Sequence, residues 1–288
     1  MSFSEKAYNW YANLLPTRTR KMKVRGKRIG VRPTQRYAAF WDKYSSGKWE
    51  PETLEVLSRF LHQDSYYVDV GAWIGPTVLY AVSRGAHVTA FEPDNVAYEE
   101  LRSNLNCNSW AERVTVVRAA LARGKGIATL RSNSFGNSES SITAAKVERK
   151  AAVVAFDLEQ ECEMISAEDT ASEYRFSDAD LIKVDIEGGE YPLLPYLIPA
   201  LGASTPLLIS FHPDSLGVGE PPELRTELRK QEGLSMISCL SAYYPHRVRR
   251  DGIRLVSWKK LEAEQSSGKW LNGAYLFTRS PNQGAIGT

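Results

Sequence analysis

The sequence predicts an α/β protein built on a mostly parallel sheet with helices on both faces. Three observations predict it. Short apolar runs alternate with helical periodicity: Tyr66–Val70, Pro76–Val82, Val88–Phe91, Asn95–Asn106 and Val114–Val117. This β-α-β-α-β order calls for parallel strands joined by right-handed crossovers. The alternation resumes late in the chain, with strands expected at Asp180–Val184 and Leu207–Phe211.

The elements follow in order. Residues 1–48 read as an N-terminal extension, and 49–288 as the main domain. Trp10, Tyr11, Leu14 and Leu15 give the extension apolar surface to pack. Pro51 opens a helix, since proline suits the first turn and acids there suit the dipole. Leu54, Leu57 and Leu61 supply its buried stripe. After Val117 the pattern loosens. Gly126–Leu130 and residues 151–156 read as added strands, Asn133–Ser141 as a polar loop, and Ser166–Tyr174 as a helix. Glu190–Leu201 reads as a helix shortened or kinked by Pro192, Pro195 and Pro199. Pro222–Glu232 is expected as a helix, Met236–Leu240 as a strand, and Ala274–Thr278 as a last, antiparallel strand.

The 288 residues are 43% hydrophobic and 24% charged, enough for a substantial globular core. No apolar stretch approaches the roughly 20 residues of a membrane span. The N-terminus lacks a secretory apolar core, and Cys107, Cys162 and Cys239 are too scattered for metal-ligand spacing. A reducing cytoplasm is the expected location. The net charge of +2 conceals nine Lys or Arg and no acid between Arg18 and Arg36. Such a run suits peripheral contact with an anionic surface, or simply a solvated hairpin around Gly26. No interleaved aromatics accompany it, so a nucleic-acid partner is not expected.

The chemistry is expected beyond the strand ends, where an open sheet binds ligands. YYVDVGAWIG (66–75) is a strand, a glycine-bounded turn and a helix start. Glu92 ends the next strand, placed to accept hydrogen bonds from ribose hydroxyls. A dinucleotide loop is G-x-G-x-x-G. Here Gly71 and Gly75 are spaced G-x-x-x-G, and Trp73 stands where the middle glycine belongs. Trp73 crowds a pyrophosphate and Asp69 repels one. Both tolerate S-adenosylmethionine, which carries a ribose and a sulfonium but no phosphate. Asp185, Glu187 and His212 fall at two further strand tips.

VDVGAWIG, FEP, LIKVDIEGGE and SFHP together resemble the FkbM family of S-adenosylmethionine-dependent methyltransferases, over roughly residues 49–215. WEPETL is similar to that family's opening helix. The resemblance implies a seven-stranded Rossmann-like sheet and O-methylation of a sugar or polyketide hydroxyl. Trp73 replaces the family's usual asparagine, and Gly189 its usual alanine. Carried onto this chain, the resemblance implies that Gly71, Ala72 and Gly75 let the backbone approach the cofactor. Asp69 would orient its amino-acid end, and Glu92, followed by Pro93, would hold its ribose. Ala120 and Leu121 would wall the adenine, and Asp185 would lie near the methyl group, with Trp73 at the cofactor's edge.

An alcohol acceptor calls for a base within hydrogen-bond reach. His212 is the first choice, because its ordinary pKa is near neutrality. Asp185, Glu187 and Glu190 are alternatives. A divalent metal on Asp185 is a further option, without a ligand set defined by spacing. The expected acceptor is a carbohydrate, glycoconjugate or related small molecule. Three rivals stand beside this reading: a nicotinamide-dependent oxidoreductase, a non-catalytic protein meeting an anionic surface, and an RNA methyltransferase. The last lacks an N-P-P-Y-type tetrapeptide where KVDIEGGE stands.

Overall fold

The computed structural model describes residues 18–132, 136, 138, 140, 142, 146–149, 152–155, 158–217 and 220–282. Trp10, Tyr11, Leu14, Leu15 and Phe156 lie outside the described residues. The chain opens with a hairpin of β1 (Arg20–Val24) and β2 (Lys27–Val31), followed by α1 (Ala38–Ser45) and α2 (Pro51–Phe60). Next come β3 (Tyr66–Val70), α3 (Pro76–Ser83), β4 (His87–Phe91), α4 (Asn95–Asn106) and β5 (Val114–Val117). An accessory stretch carries β6 (Ala120–Ala122), β7 (Gly126–Ser132), β8 (Lys146–Arg149), β9 (Ala152–Ala155) and β10 (Leu158–Ser166), then the one-turn helix α5 (Ala167–Thr170). The chain continues through β11 (Leu181–Val184), α6 (Glu190–Leu197), β12 (Leu207–Phe211), α7 (Pro222–Cys239), β13 (Tyr244–Arg249), β14 (Gly252–Leu255), α8 (Trp258–Ser266) and β15 (Gly273–Thr278).

The main sheet runs β14-β13-β15-β12-β11-β3-β4-β5. Its five strands β12, β11, β3, β4 and β5 are parallel, and β15, β13 and β14 join antiparallel. The sheet is therefore eight-stranded, against the seven that family resemblance implies. The extra strand comes from the β13–β14 hairpin. Strand order reverses between β3 and β11, which makes that crevice the switch point where ligands bind in such sheets.

Alternation along the central strands splits the core. Tyr67 and Leu181 face the layer of α2 and α3, while Val68, Val70, Ile182 and Val184 face α6, α7 and α8. Asp69 and Lys183 are paired in register on the first of these faces. The apolar side chains of the 18–48 segment, including Val24, Ile29, Tyr37, Trp41 and Tyr44, are buried in the same layer.

Several expectations need correction. Met236–Leu240 continues helix α7 rather than forming a strand. Gly233, Met236 and Ile237 are its buried positions, a helical spacing that the buried C-cap Leu240 continues. The predicted helix over Ser166–Tyr174 is only the single turn α5. Strand β10 is missing from the sequence reading, and so are β13, β14 and α8. The β10 strand pairs with both β6 and β7. Its outward acids Glu159, Glu161 and Glu163 mask the strand pattern, because Gln160 and Ser166 interrupt the apolar row of Leu158, Cys162 and Met164.

Candidate functional site

The turn after β3 is built around Gly71, whose φ is +86°. An added Cβ there would meet the Asp185 carbonyl oxygen at 2.0 Å, so the two central strand tips touch only because residue 71 is glycine. Gly75 (φ +92°) opens α3 against Leu101, where a Cβ would fall 2.3 Å from Cδ1. Gly75 lines neither cleft described below; its role is packing. The turn's backbone donors are already committed. Gly71 and Ala72 N–H both donate to the Phe91 carbonyl. Trp73 N–H donates to Glu92 Oε2 at 2.7 Å, and Asp94 N–H to Glu92 Oε1 at 2.8 Å.

Two adjoining clefts open at the switch point. The first has an apolar wall of Phe91, Pro93, Ala120, Leu121, Leu130 and Ile142. Its acidic lining is Glu92, Asp185 and Glu187, with no Lys or Arg among the described residues. The second is wider. Phe40, Trp49 and Trp73 supply its aromatic wall, and Glu50, Glu52, Asp185, Glu187, Lys43, Lys183 and His212 its ionisable groups. Trp73, Gly71, Ser138, Asp185 and Glu187 border both.

Trp73 therefore stands at the boundary of the two clefts and blocks neither. Its indole N–H donates to the Gly136 carbonyl at 2.7 Å, as does the Tyr37 hydroxyl. Phe40 packs edge-on against it with centroids 4.5 Å apart. Asp94 secures the other side of this loop, accepting from Gly136 N–H at 2.7 Å while capping α4 through Val96 and Ala97.

Seven non-glycine residues adopt positive φ among the described residues, and three of them, Glu50, Trp73 and Glu187, border the second cleft. Left-handed backbone is unfavourable for such residues and concentrates at functional sites. Glu50 (φ +34°) precedes Pro51 at the start of α2 and takes a hydrogen bond from Thr53 Oγ1 at 3.0 Å. Sequence reading missed it. Its only signal is its place in WEPETL, where Pro51 makes it a helix cap; nothing local shows that the cap faces the β11 tip.

The charges around Asp185 are interlocked. Lys183 Nζ lies 3.1 Å from Asp185 Oδ2 and 3.6 Å from Asp69 Oδ1. Burial alone would lower the Lys183 pKa, but Asp185, Asp69 and Glu50 outweigh it and hold the ammonium charged. Asp185 is held ionised: burial opposes this, and Lys183 and His212 prevail. Asp69 is completely buried, lines neither cleft, and accepts from Thr77 Oγ1. It stands behind the site and steadies Lys183, whereas the sequence reading placed it against the ligand. Burial pushes the Glu92 carboxyl up to about 8 and the Glu50 carboxyl up to about 7, the latter with help from Asp185.

His212 lies among three carboxylates. Its Nδ1 is 2.8 Å from Glu190 Oε1, and its Nε2 is 3.6 Å from Asp185 and 3.8 Å from Glu187. Burial disfavours the imidazolium, yet Glu190, Glu187 and Asp185 overcome it and raise the pKa to about 10. A ring already protonated at neutral pH cannot accept the acceptor's proton. Glu190, fully buried, lines neither cleft; it also accepts from Ile186 N–H and Gly188 N–H and so fixes the turn that carries Asp185 and Glu187.

Asp185, Glu190 and His212 each bring one ligand-type atom within 4.8 Å of the others. The set does not fit a divalent ion. The Glu190 oxygens are committed to two amides and His212, and the Lys183 ammonium already occupies Asp185. A dication there would have to displace the Lys183 ammonium from Asp185 and the proton from His212.

The sequence model of the methyltransferase FkbM domain matches residues 69–231. No curated protein matches the chain. Among solved structures, methyltransferase FkbM from Methylobacillus flagellatus KT is 17% identical, with a TM-score of 0.39 over 75% of this chain and 43% of that one. An S-adenosylmethionine-dependent O-methyltransferase from Thermotoga maritima is 12% identical, with a TM-score of 0.40 over 90% of this chain and 76% of that one. An O-methyltransferase from Bacillus cereus, in complex with S-adenosylhomocysteine, is 10% identical, with a TM-score of 0.41 over 79% and 78%. These structural likenesses are distant, and the chain spans less than half of the Methylobacillus protein. The match over residues 69–231 covers more than half of the sequence and includes both strand tips that frame the switch point: the chain belongs to the FkbM family of methyltransferases.

Proposed function

We propose that the protein is an S-adenosylmethionine-dependent O-methyltransferase acting on a hydroxyl of a carbohydrate, glycoconjugate or related small molecule. One observation carries the reading of the cofactor. The first cleft combines an apolar wall with three carboxylates and no cationic side chain among the described residues. With Asp185 held ionised and Glu92 ionising at about pH 8, that lining suits a positively charged nucleoside and repels a pyrophosphate, which also counts against a nicotinamide dinucleotide. When bound, S-adenosylmethionine supplies a methyl group on a cationic sulfur.

The residues divide the work. Glu92 accepts from the ribose hydroxyls with the lone pairs left by Trp73 and Asp94. Pro93, Ala120 and Leu121 flank the base. Gly71 and Ala72 keep the turn narrow, and Trp73 separates nucleoside from acceptor. The acceptor belongs in the second cleft, where Phe40, Trp49 and Trp73 offer faces to a sugar ring and the carboxylates offer hydrogen-bond acceptors to its hydroxyls. Glu50 replaces His212 as the proton acceptor, because its carboxyl is poised near neutrality and borders that cleft. Asp185 and Glu187 orient the hydroxyl, and Glu190 holds their turn. Methyl transfer from labelled S-adenosylmethionine to a panel of simple sugars and glycosides tests the acceptor class. Transfer only to amine or thiol acceptors contradicts it.

A further inference from the structure

We propose that the exposed face of the β1–β2 hairpin docks the protein on an anionic lipid bilayer. The hairpin has two unlike faces. Val24, Ile29 and Val31 are buried in the core, while Lys21, Lys23, Arg28 and Arg32 are exposed. Lys23 and Arg28 are direct cross-strand partners. Like charges opposite each other destabilise a strand pair, and no stabilising function within the fold offsets this. Carboxylates answer other arginines nearby: Asp42 pairs with Arg20, and Glu55 with Arg25. Among the described residues no ion pair reaches Lys21, Lys23, Arg28 or Arg32.

The platform is also firmly held. Asn108 bonds both the N–H and the carbonyl of Gly30, at 2.6 and 2.7 Å. Asn104 accepts from Arg32 N–H at 2.9 Å, and Glu100 from Thr34 N–H at 2.9 Å. The cations are thus presented by a pinned two-stranded ribbon. The whole chain carries +2, so the residues outside 18–36 carry a net −7. This separation of charge turns the hairpin toward an anionic plane and the remainder away from it. Among the described residues no aromatic side chain shares the exposed face, so it lacks the stacking platform of a single-strand nucleic-acid site. A lipid surface asks only for clustered Lys and Arg within a Debye length, each strengthening attachment by about fivefold.

Co-sedimentation of the full chain with phosphatidylcholine vesicles, with and without about 30 mol% phosphatidylserine, tests the proposal at low and high salt. Binding is expected only with phosphatidylserine, and to be lost near 0.5 M NaCl, where screening is strong. Lys23→Glu changes the face by two charges and should weaken partitioning about thirtyfold, while Lys23→Gln should weaken it about fivefold. Lys23→Glu also turns a repulsive cross-strand pair into an attractive one, so its melting temperature should stay level or rise. That melt separates lost docking from lost folding. No attachment of the wild type to phosphatidylserine vesicles at low salt overturns the proposal. So does attachment unchanged in Lys23→Glu, or tighter binding to a labelled single-stranded oligonucleotide than to vesicles.

Discussion

His212 Nδ1 lies 2.8 Å from a completely buried Glu190 carboxylate, and this contact makes the histidine a fixed cation rather than a base. The His212 ring should therefore show no titration between pH 6 and 8.5 by NMR, consistent with a pKa near about 10. Glu190→Gln should return its pKa toward the ordinary range and lower stability by about 3–5 kcal/mol, the cost of breaking a buried charge pair. A wild-type ring titrating near 6.5 would restore His212 as a candidate base and remove Glu50 from that role.

Glu92 ties the two strand tips to the ligand. Glu92→Ala should weaken S-adenosylhomocysteine binding about 10- to 100-fold, the range of one charged hydrogen bond. It should also lower stability by about 1–3 kcal/mol, because Trp73 and Asp94 lose their amide acceptor. Calorimetry and thermal melts measure the two effects separately. The Glu92 carboxyl titrates near about 8 in the free protein. Affinity should accordingly rise from pH 6.5 to 8.5 as the carboxylate forms; a flat profile disproves the ribose assignment.

Trp73 borders both clefts, so its fluorescence should respond to ligand. S-adenosylhomocysteine should change the intrinsic emission, and Trp73→Phe should abolish most of that change. An undiminished change in the variant places the reporter elsewhere.

Glu50 combines strain with a shifted carboxyl. Glu50→Gly relieves a left-handed backbone costing about 1–3 kcal/mol, so its melting temperature should hold or rise. Glu50→Gln should cut methyl transfer about 10²- to 10⁴-fold, as expected for a lost general base, with cofactor affinity unchanged. Loss of stability in Glu50→Gly together with normal turnover in Glu50→Gln would make the residue structural.

Stability should depend on pH with a definite sign. Burial raises Glu50 and Glu100 to about 7 and Glu92 to about 8, and carboxylate contacts raise His212 to about 10. Each folded-state pKa lies above the unfolded one, so each stabilises the protein below its unfolded value and loses that stabilisation as pH climbs through the folded value. Buried His246, lowered to about 4, acts oppositely and adds stability as pH rises from 4 to 6.5. Three carboxyls lose stabilisation from about pH 4.5 upward and only His246 gains over that range, so the melting temperature of the ligand-free protein should be highest at about pH 4–4.5 and decline toward pH 10. A maximum at pH 8 or above contradicts these shifts.

The five parallel strands and the switch point were legible because Tyr66–Val70, His87–Phe91 and Leu181–Val184 are compact apolar runs with polar ends. The accessory sheet was not, because β10 alternates acids with a sparse apolar row. Glu92, Trp73, Asp185 and Glu187 were legible for the site, since strand tips predict which side chains share an edge. Asp69 was misplaced by the same logic: strand parity turns it to the α2–α3 face with Lys183, behind the cleft. Glu50 was illegible as a site residue, because only tertiary packing brings the segment before α2 to the β11 tip. The protonation of His212 also depends on tertiary structure, through carboxylates on another strand's turn.

Isothermal calorimetry with S-adenosylmethionine and S-adenosylhomocysteine tests the central claim most directly, that the carboxylate-lined cleft at the β3–β11 switch point takes a sulfur nucleoside. One-site micromolar binding of both, weakened by Glu92→Ala and absent for NADH, is the predicted result. No heat with either nucleoside, or binding of NADH alone, contradicts it.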